Sequence, residues 1–245
     1  MYNYKLLIEY KGTNYFGWQK QKNTDKTIQN IIESSIIKIT GKKIKLTGAG
    51  RTDSGVHALN QVANFKSENR LEKKKFLYSL NSILPEDISI KNLMIAGTDF
   101  HSRYSAVRRE YIYKISADKK AVENQFYYKL NYDLDFEKID EFIKIITGYK
   151  SFRSLCKNKT DKHNFMCYLY FITYTFRNRK RDMIFKISAS RFLHSMVRGI
   201  IGCLVDIGRN KLDLKDTTDK FLKGEKIRTT YLPSKALFLN KIYYK

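Results

Sequence analysis

Two passes of one hydrophobic and polar pattern run along the chain. In the first, Tyr4, Leu6, Ile8 and Tyr10 fall at every second position, the mark of a strand with one buried face. Ile28, Ile31, Ile32, Ile36 and Ile39 then recur at helical spacing, between a candidate N-cap, Thr27, and a terminator, Gly41. Strands are expected near Lys45 to Ala49 and Gln61 to Phe65, on either side of a glycine-containing loop. A second helix sets Phe76, Leu77, Leu80 and Leu84 on one face before Pro85, and Ile88 to Ala96 reads as a closing strand. The order is β-α-β-β-α-β.

The second pass opens with the alternating Tyr111 to Ala117 and a helix carrying Phe136, Ile139, Phe142, Ile143 and Ile146, stopped at Gly148. Two long strands follow, Met166 to Arg177 and Met183 to Ala189, joined by the polar run NRKRD, which reads as a basic hairpin loop. A helix from Arg191 to about Ile207 ends at Gly208, a short one runs from Asp216 to Gly224, and Leu237 to Tyr243 closes as a strand. The same order recurs with insertions. It predicts an α+β fold of two ferredoxin-like β-α-β-β-α-β halves, with mainly antiparallel sheets side by side, helices on one face and a basic cleft between the halves. Counting elements places the boundary near Ser105, giving halves of residues 1–105 and 106–245.

Composition then narrows the partner. Against 47 Lys and Arg stand 24 Asp and Glu, a formal net charge of +23. That excess points to a polyanion, even with part of the lysine attributed to genome base content. No stretch approaches the roughly 20 apolar residues a spanning helix needs, so a membrane partner is not expected. The N-terminus lacks the long apolar region of a signal peptide, which predicts a cytoplasmic protein. Cys156, Cys167 and Cys203 show no C-x-x-C spacing, so neither a disulfide framework nor a metal site is indicated. The aromatic share of 14%, with 18 Tyr, offers surfaces on which bases can stack, and nucleic acid becomes the favoured partner.

Candidate chemistry concentrates in GAGRTDSGVHALNQVANF, Gly48 to Phe65, between two expected strands. Its glycines allow a sharply turned loop presenting Arg51, Asp53 and His57. From the residues alone, an Asp beside Ser and Gly is more often a turn residue bonded to its own backbone, and a His is more often structural than catalytic.

The segment GRTDSGVHA resembles the G-R-T-D-x-G-V-H-A motif of TruA-type tRNA pseudouridine synthases, and Gln61, Val62 and Phe65 continue the similarity. Further matching segments follow in family order: IEYKGTNYFGWQKQ, NSILPED, FHSRYSAVRREYIY and FLHSMVRGIIG, so the likeness covers nearly the whole chain. Two positions depart from it. Gly199 stands where the family often has Asn, and Ala236 replaces the usual Gly before Leu237. The resemblance implies a cofactor-free isomerase with Asp53 as catalytic carboxylate, Arg51 its neighbour, Tyr111 the active-site tyrosine and Arg198 a basic partner. Substrate contacts are expected of His57, Arg103, Arg109, Arg153 and Leu237. It also implies tRNA as partner, uridines on the 3′ side of the anticodon arm as targets, and a homodimer.

Such chemistry needs few residues. The bond from ribose C1′ to N1 breaks, the uracil turns, and C5 bonds to C1′, with no exchange of electrons with a cofactor. The carboxylate acts either as a nucleophile or as a base at C2′, and the sequence leaves both routes open. Each starts from an ionised carboxylate, a role for which Arg51 and Arg198 suit as neighbours. Phosphates are expected to meet Arg103, Arg108, Arg109, Lys157, Lys159, Arg177, Arg179, Lys180 and Arg181. The competing class is a non-catalytic RNA-binding protein or RNA chaperone, which charge and aromatics serve equally well. A metal-dependent nuclease is disfavoured, because Asp53 is the sole acid in its loop.

Overall fold

A computed structural model describes residues 1–157 and 164–245. The chain forms two compact units, residues 1–107 with 238–245, and residues 108–237. Lys159 lies outside the described residues.

The first unit begins with strand β1 (Tyr2–Tyr10), which buries Tyr4, Leu6, Ile8 and Tyr10 and leaves Lys5, Leu7 and Glu9 half-buried on the other face. Helix α1 (Ile28–Thr40) starts where the Thr27 hydroxyl accepts the Asn30 N–H at 3.4 Å, and ends at Gly41, whose N–H reaches the Ile37 carbonyl. Ile28, Ile32 and Ile36 are fully buried, each worth about 1.5–3 kcal/mol of hydrophobic stabilisation. The expected strand after the helix shrinks to β2 (Thr47–Gly48), whereas β3 extends over His57–Ser67. Helix α2 (Lys73–Ile83) is capped by Glu72 and buries Phe76 and Leu80, and β4 (Ile88–Ala96) follows. β4 and β3 flank β1, both antiparallel, and β2 pairs antiparallel with β3, giving the spatial order β4-β1-β3-β2 of a ferredoxin-like sheet.

The second unit is built on β5 (Ala106–Ser116), which pairs antiparallel with β9 (Asp182–Ala189) and, through its end, in parallel with β6 (Tyr128–Lys129). Helix α3 (Phe136–Ile146) buries Ile139, Phe142 and Ile146. Gly148, expected only to stop this helix, opens the edge strand β7 (Gly148–Ser151), which pairs with β8 (Met166–Arg177), itself antiparallel to β9. The β8–β9 turn is the expected basic hairpin, with Asn178, Arg179 and Lys180 all at positive φ. Helix α4 (Met196–Gly208) begins five residues later than its hydrophobic pattern implies, because Arg191 to Ser195 do not take helical form. Helix α5 (Leu214–Lys223) is capped by Asp213 and ends at Gly224.

The final strand, β10 (Leu237–Tyr244), pairs in parallel with β3 through Phe238 with His57 and Leu239 with Ala58. From Phe238 onward it belongs to the first unit, while Leu237 groups with the second.

Candidate active site

Asp53 lies in the connection from β2 to β3, and the segment after β1 holds that connection on both sides of it. Before Asp53, Thr52 is buried; its hydroxyl shares a 2.8 Å hydrogen bond with the Tyr10 hydroxyl, and its carbonyl accepts the Trp18 N–H at 3.1 Å. After Asp53, the Ser54 hydroxyl and the Gly55 N–H both donate to the Tyr15 carbonyl. The turn closes through the Val56 N–H, which donates to the Asp53 carbonyl at 3.2 Å. Gly17 makes the approach possible. A Cβ there would stand 2.6 Å from the Thr52 carbonyl, and its φ of +85° disfavours a side chain in any case.

The clamp is itself anchored. Tyr15 donates its hydroxyl to Asp87, and the Asp87 carbonyl accepts the Lys11 N–H at 2.9 Å. Burial, followed by the Asp87 hydrogen bond, pushes the Tyr15 phenol well up, so it stays a donor. Burial likewise raises Tyr10, against the pull of Thr52 and Gln61. Gln61 is fully buried and donates to the Gly50 carbonyl at 3.0 Å, fixing the start of the same connection. Tyr10, Tyr15, Thr52 and Asp87 carry no signal as single residues. Their signal is that they fall in the segments IEYKGTNYFGWQKQ, GRTDSGVHA and NSILPED, which fold onto one another.

Asp53 is half-buried and Arg51 exposed, with the Arg51 Nε donating to the Gln19 side chain at 3.1 Å. His57 departs from the sequence expectation of an exposed loop position. It is 1% exposed at the start of β3, where its Nδ1 accepts the Gly12 N–H at 3.1 Å and its ring stacks on Phe238 at 4.7 Å. From there it ties the post-β1 segment and β10 to the loop. Arg103 is exposed in the same unit, its guanidinium 5.8 Å from the Tyr104 ring centre.

In the second unit, Tyr111 sits on β5 opposite Ile187, nearly buried, with the Phe192 ring meeting it edge-on at 5.1 Å. Arg198 lies on α4, and that helix is not amphipathic: every residue of it except Arg198 is buried. The Arg198 Nε donates to the Leu232 carbonyl at 2.6 Å, and the Leu232 N–H returns to the Arg198 carbonyl at 3.4 Å. The irregular segment that bears Leu232 is pinned at two further points. Asp206, also on α4, accepts the Thr230 N–H at 2.8 Å and the Thr229 hydroxyl at 3.1 Å, and the Tyr113 hydroxyl of β5 donates to the Pro233 carbonyl at 2.8 Å. Tyr111 and Arg198 are thus set on elements braced by one segment.

Gly199 has a local cause. A Cβ there would stand 2.4 Å from the Leu155 carbonyl, so α4 approaches the 3-10 turn Arg153–Leu155 more closely than an Asn at this position allows. Arg153 on that turn is exposed, with its guanidinium 5.7 Å from the Phe165 ring centre. The half-buried Arg109 donates to the Ser190 carbonyl at 2.8 Å, and Leu237 is 5% exposed.

A family model described as tRNA pseudouridine synthase matches residues 6–105 and 143–245. Curated relatives called "tRNA pseudouridine synthase A" are similar over their full length and that of this chain. That of Caldicellulosiruptor saccharolyticus is 41% identical, with 100% of both chains covered. Those of Acetivibrio thermocellus and Thermodesulfovibrio yellowstonii are 38% and 37% identical, again with 100% of both covered.

Proposed function

The chain belongs to the tRNA pseudouridine synthase family, and from that premise we propose that it modifies uridines on the 3′ side of the tRNA anticodon arm, with Asp53 as its catalytic carboxylate. It is an isomerase that converts uridine to pseudouridine in tRNA. The observation that carries the Asp53 reading is the clamp. Thr52 on one side and Ser54 and Gly55 on the other are bonded to a single preceding segment, so the intervening carboxylate is presented from a fixed backbone. A solvent-facing turn residue needs no such support, whereas a group that must meet C1′ or C2′ of a ribose gains from being held in place.

In this reading the target nucleotide leaves its stack, at a cost of a few kcal/mol. Asp53 then either bonds to C1′ as the C1′–N1 bond breaks, or takes the C2′ proton. After the uracil turns, C5 bonds to C1′ as the Asp53–C1′ bond breaks or, on the other route, as C2′ regains its proton from Asp53; C5 then gives up its proton and N1 gains one, so the isomerisation balances without a cofactor. Arg51 and Arg198 supply positive charge for the carboxylate and the departing uracil anion. Tyr111 offers a ring face to the base, and Leu237 an apolar wall. His57 keeps the loop in register, and Arg103, Arg109 and Arg153 meet phosphates. The homodimer implied by the resemblance and the cytoplasmic location expected from the sequence complete the proposal.

Incubating the purified protein with unmodified tRNA transcript in EDTA and mapping pseudouridine tests this reading against the RNA-chaperone alternative. Pseudouridine confined to the anticodon arm is expected. A transcript bound but unchanged would leave only the binding role.

Two expectations accompany it. Tyr111→Phe keeps the ring and its contact with Phe192 but lacks the hydroxyl, while Tyr111→Ala lacks both. The Ala variant is expected to lose roughly 1–3 kcal/mol of base stacking, read as a lower kcat/KM on tRNA; an Ala variant that turns over like wild type would reduce Tyr111 to a strand residue. Binding is expected to weaken steeply with salt, the log–log slope being about −0.7 to −0.9 per phosphate neutralised. Fluorescence anisotropy over a salt series measures it, and a flat response would remove the phosphate contacts from the proposal.

A further inference from the structure

Three tyrosines crowd one face at the edge of the second unit's sheet. Tyr168 and Tyr170 flank Leu169 on β8, where the register with β9 shifts between Leu169 and Phe171, and their exposed rings lie against each other; Tyr149 on β7 is the register partner of Tyr168 and shares its face. They are 45%, 40% and 62% exposed, while the preceding Cys167 and the intervening Leu169 are buried. The Tyr168 and Tyr170 ring centres are 4.8 Å apart, and the Arg108 guanidinium lies 5.6 Å from the Tyr170 centre. We propose that Tyr149, Tyr168, Tyr170 and Arg108 form a platform on which unpaired nucleotides of the RNA substrate stack.

This inference rests on the pseudouridine synthase reading and adds to it a place for nucleotides other than the target. Neighbouring exposed rings on one sheet face leave apolar area in water that a partner can cover. Every nucleobase has a π face, and a guanidinium beside a ring adds a cation–π contact and a charge for phosphate. Local charge favours RNA as the occupant: the Arg108 guanidinium beside the Tyr170 ring can meet a phosphate while the rings meet bases. The platform is also joined to residues of the candidate site. Tyr168 exchanges two hydrogen bonds with Ser190, its N–H to the hydroxyl at 3.0 Å and its carbonyl from the Ser190 N–H at 2.9 Å. The Ser190 carbonyl in turn accepts Arg109. Nucleotides stacked here are continuous with a backbone held by Arg109.

The test uses a fluorescein-labelled oligouridylate and a duplex RNA of equal length, titrated with the full chain over a salt series. The double variant Tyr168→Ala/Tyr170→Ala is expected to lose on the order of tenfold or more in oligouridylate affinity at every salt concentration, leaving the log–log slope and duplex binding unchanged. Tyr168→Phe/Tyr170→Phe keeps the ring faces and is expected to bind as wild type. Arg108→Ala is expected to flatten the slope by roughly one phosphate. Wild-type oligouridylate affinity in the folded double-Ala variant overturns the platform. So does a fall in sedimenting mass for that variant, which would assign the face to a subunit contact. Should the double-Ala variant misfold, the Phe pair and Arg108→Ala still decide: weakened binding in the former, or an unchanged slope in the latter, overturns it. Pseudouridine formation on tRNA by the wild-type chain is scored in parallel. Its presence with no platform effect removes only the platform, and its absence removes the enzymatic reading.

Discussion

Asp53→Asn is expected to abolish pseudouridine formation, by on the order of 10³-fold or more, while leaving folding and tRNA affinity in place. Asn keeps the size of the side chain but is a poor nucleophile and a negligible base, so both routes lose their first step. The fold should survive because the clamp is anchored on both sides of Asp53: Thr52 is held by Tyr10 and Trp18, and Ser54 and Gly55 by Tyr15. Affinity is spread over many phosphate contacts, and loss of one negative charge within a basic protein does not weaken them. Single-turnover assays on transcript, with anisotropy and thermal melts on the same preparation, separate the three quantities. A folded variant that still isomerises uridine near the wild-type rate would make Asp53 a turn residue and end the assignment.

Asp206→Ala should produce the largest loss of stability, about 3 kcal/mol, because it removes the acceptor shared by several donors in a buried place. The Asp206 side chain is 1% exposed and accepts Arg209 at 2.6 Å, the Thr230 N–H at 2.8 Å and the Thr229 hydroxyl at 3.1 Å. Burial acts to raise its carboxyl, yet the Thr230 N–H, Arg209 and the Thr230 hydroxyl outweigh it and hold the group below the usual carboxylate range. A depressed carboxyl stabilises the fold above its unfolded value of about 3.9, and that contribution is lost as pH falls through the folded value. Acid unfolding of Asp206→Asn should therefore lack part of the wild-type pH dependence below about pH 4. Denaturant titrations at neutral and acid pH measure both effects. Because Thr229 and Thr230 precede Leu232, which accepts the Arg198 Nε, the Ala variant should also lower kcat at temperatures where it remains folded. Wild-type stability would show that the segment holds without this anchor.

Local chemistry made much of the architecture legible. The isoleucine spacing, Thr27 and Gly41 bound α1 as observed, and strand β4 runs over the expected Ile88 to Ala96. These features depend on side-chain period and capping, which neighbouring residues decide. Boundaries failed where a tertiary partner set them. The hydrophobic run from Arg191 becomes helical only at Met196, where α4 enters surroundings that bury all of it but Arg198. Gly148 stops one element and begins another because β8 is there to pair with it. Arg198 reads from its helix as an ordinary solvent-facing charge, whereas the Leu232 carbonyl, 34 residues away in the chain, gives it a direction.

By itself, then, the sequence determined the doubled β-α-β-β-α-β order, the preference for a polyanion and the loop motif to which the proposed chemistry is assigned, since composition, periodicity and motif are properties of short stretches. Tertiary structure alone decided that β10 pairs in parallel with β3, that His57 is buried against Gly12 and Phe238 rather than displayed, and that Tyr10, Tyr15 and Trp18 hold the turn around Asp53. It likewise set Tyr149 of β7 against Tyr168 of β8. Each of these is a pairing between residues distant in the chain. No local preference encodes such a pairing; it forms because buried hydrogen-bonding groups need partners and strands need a register, and both requirements are met only when the whole unit has folded.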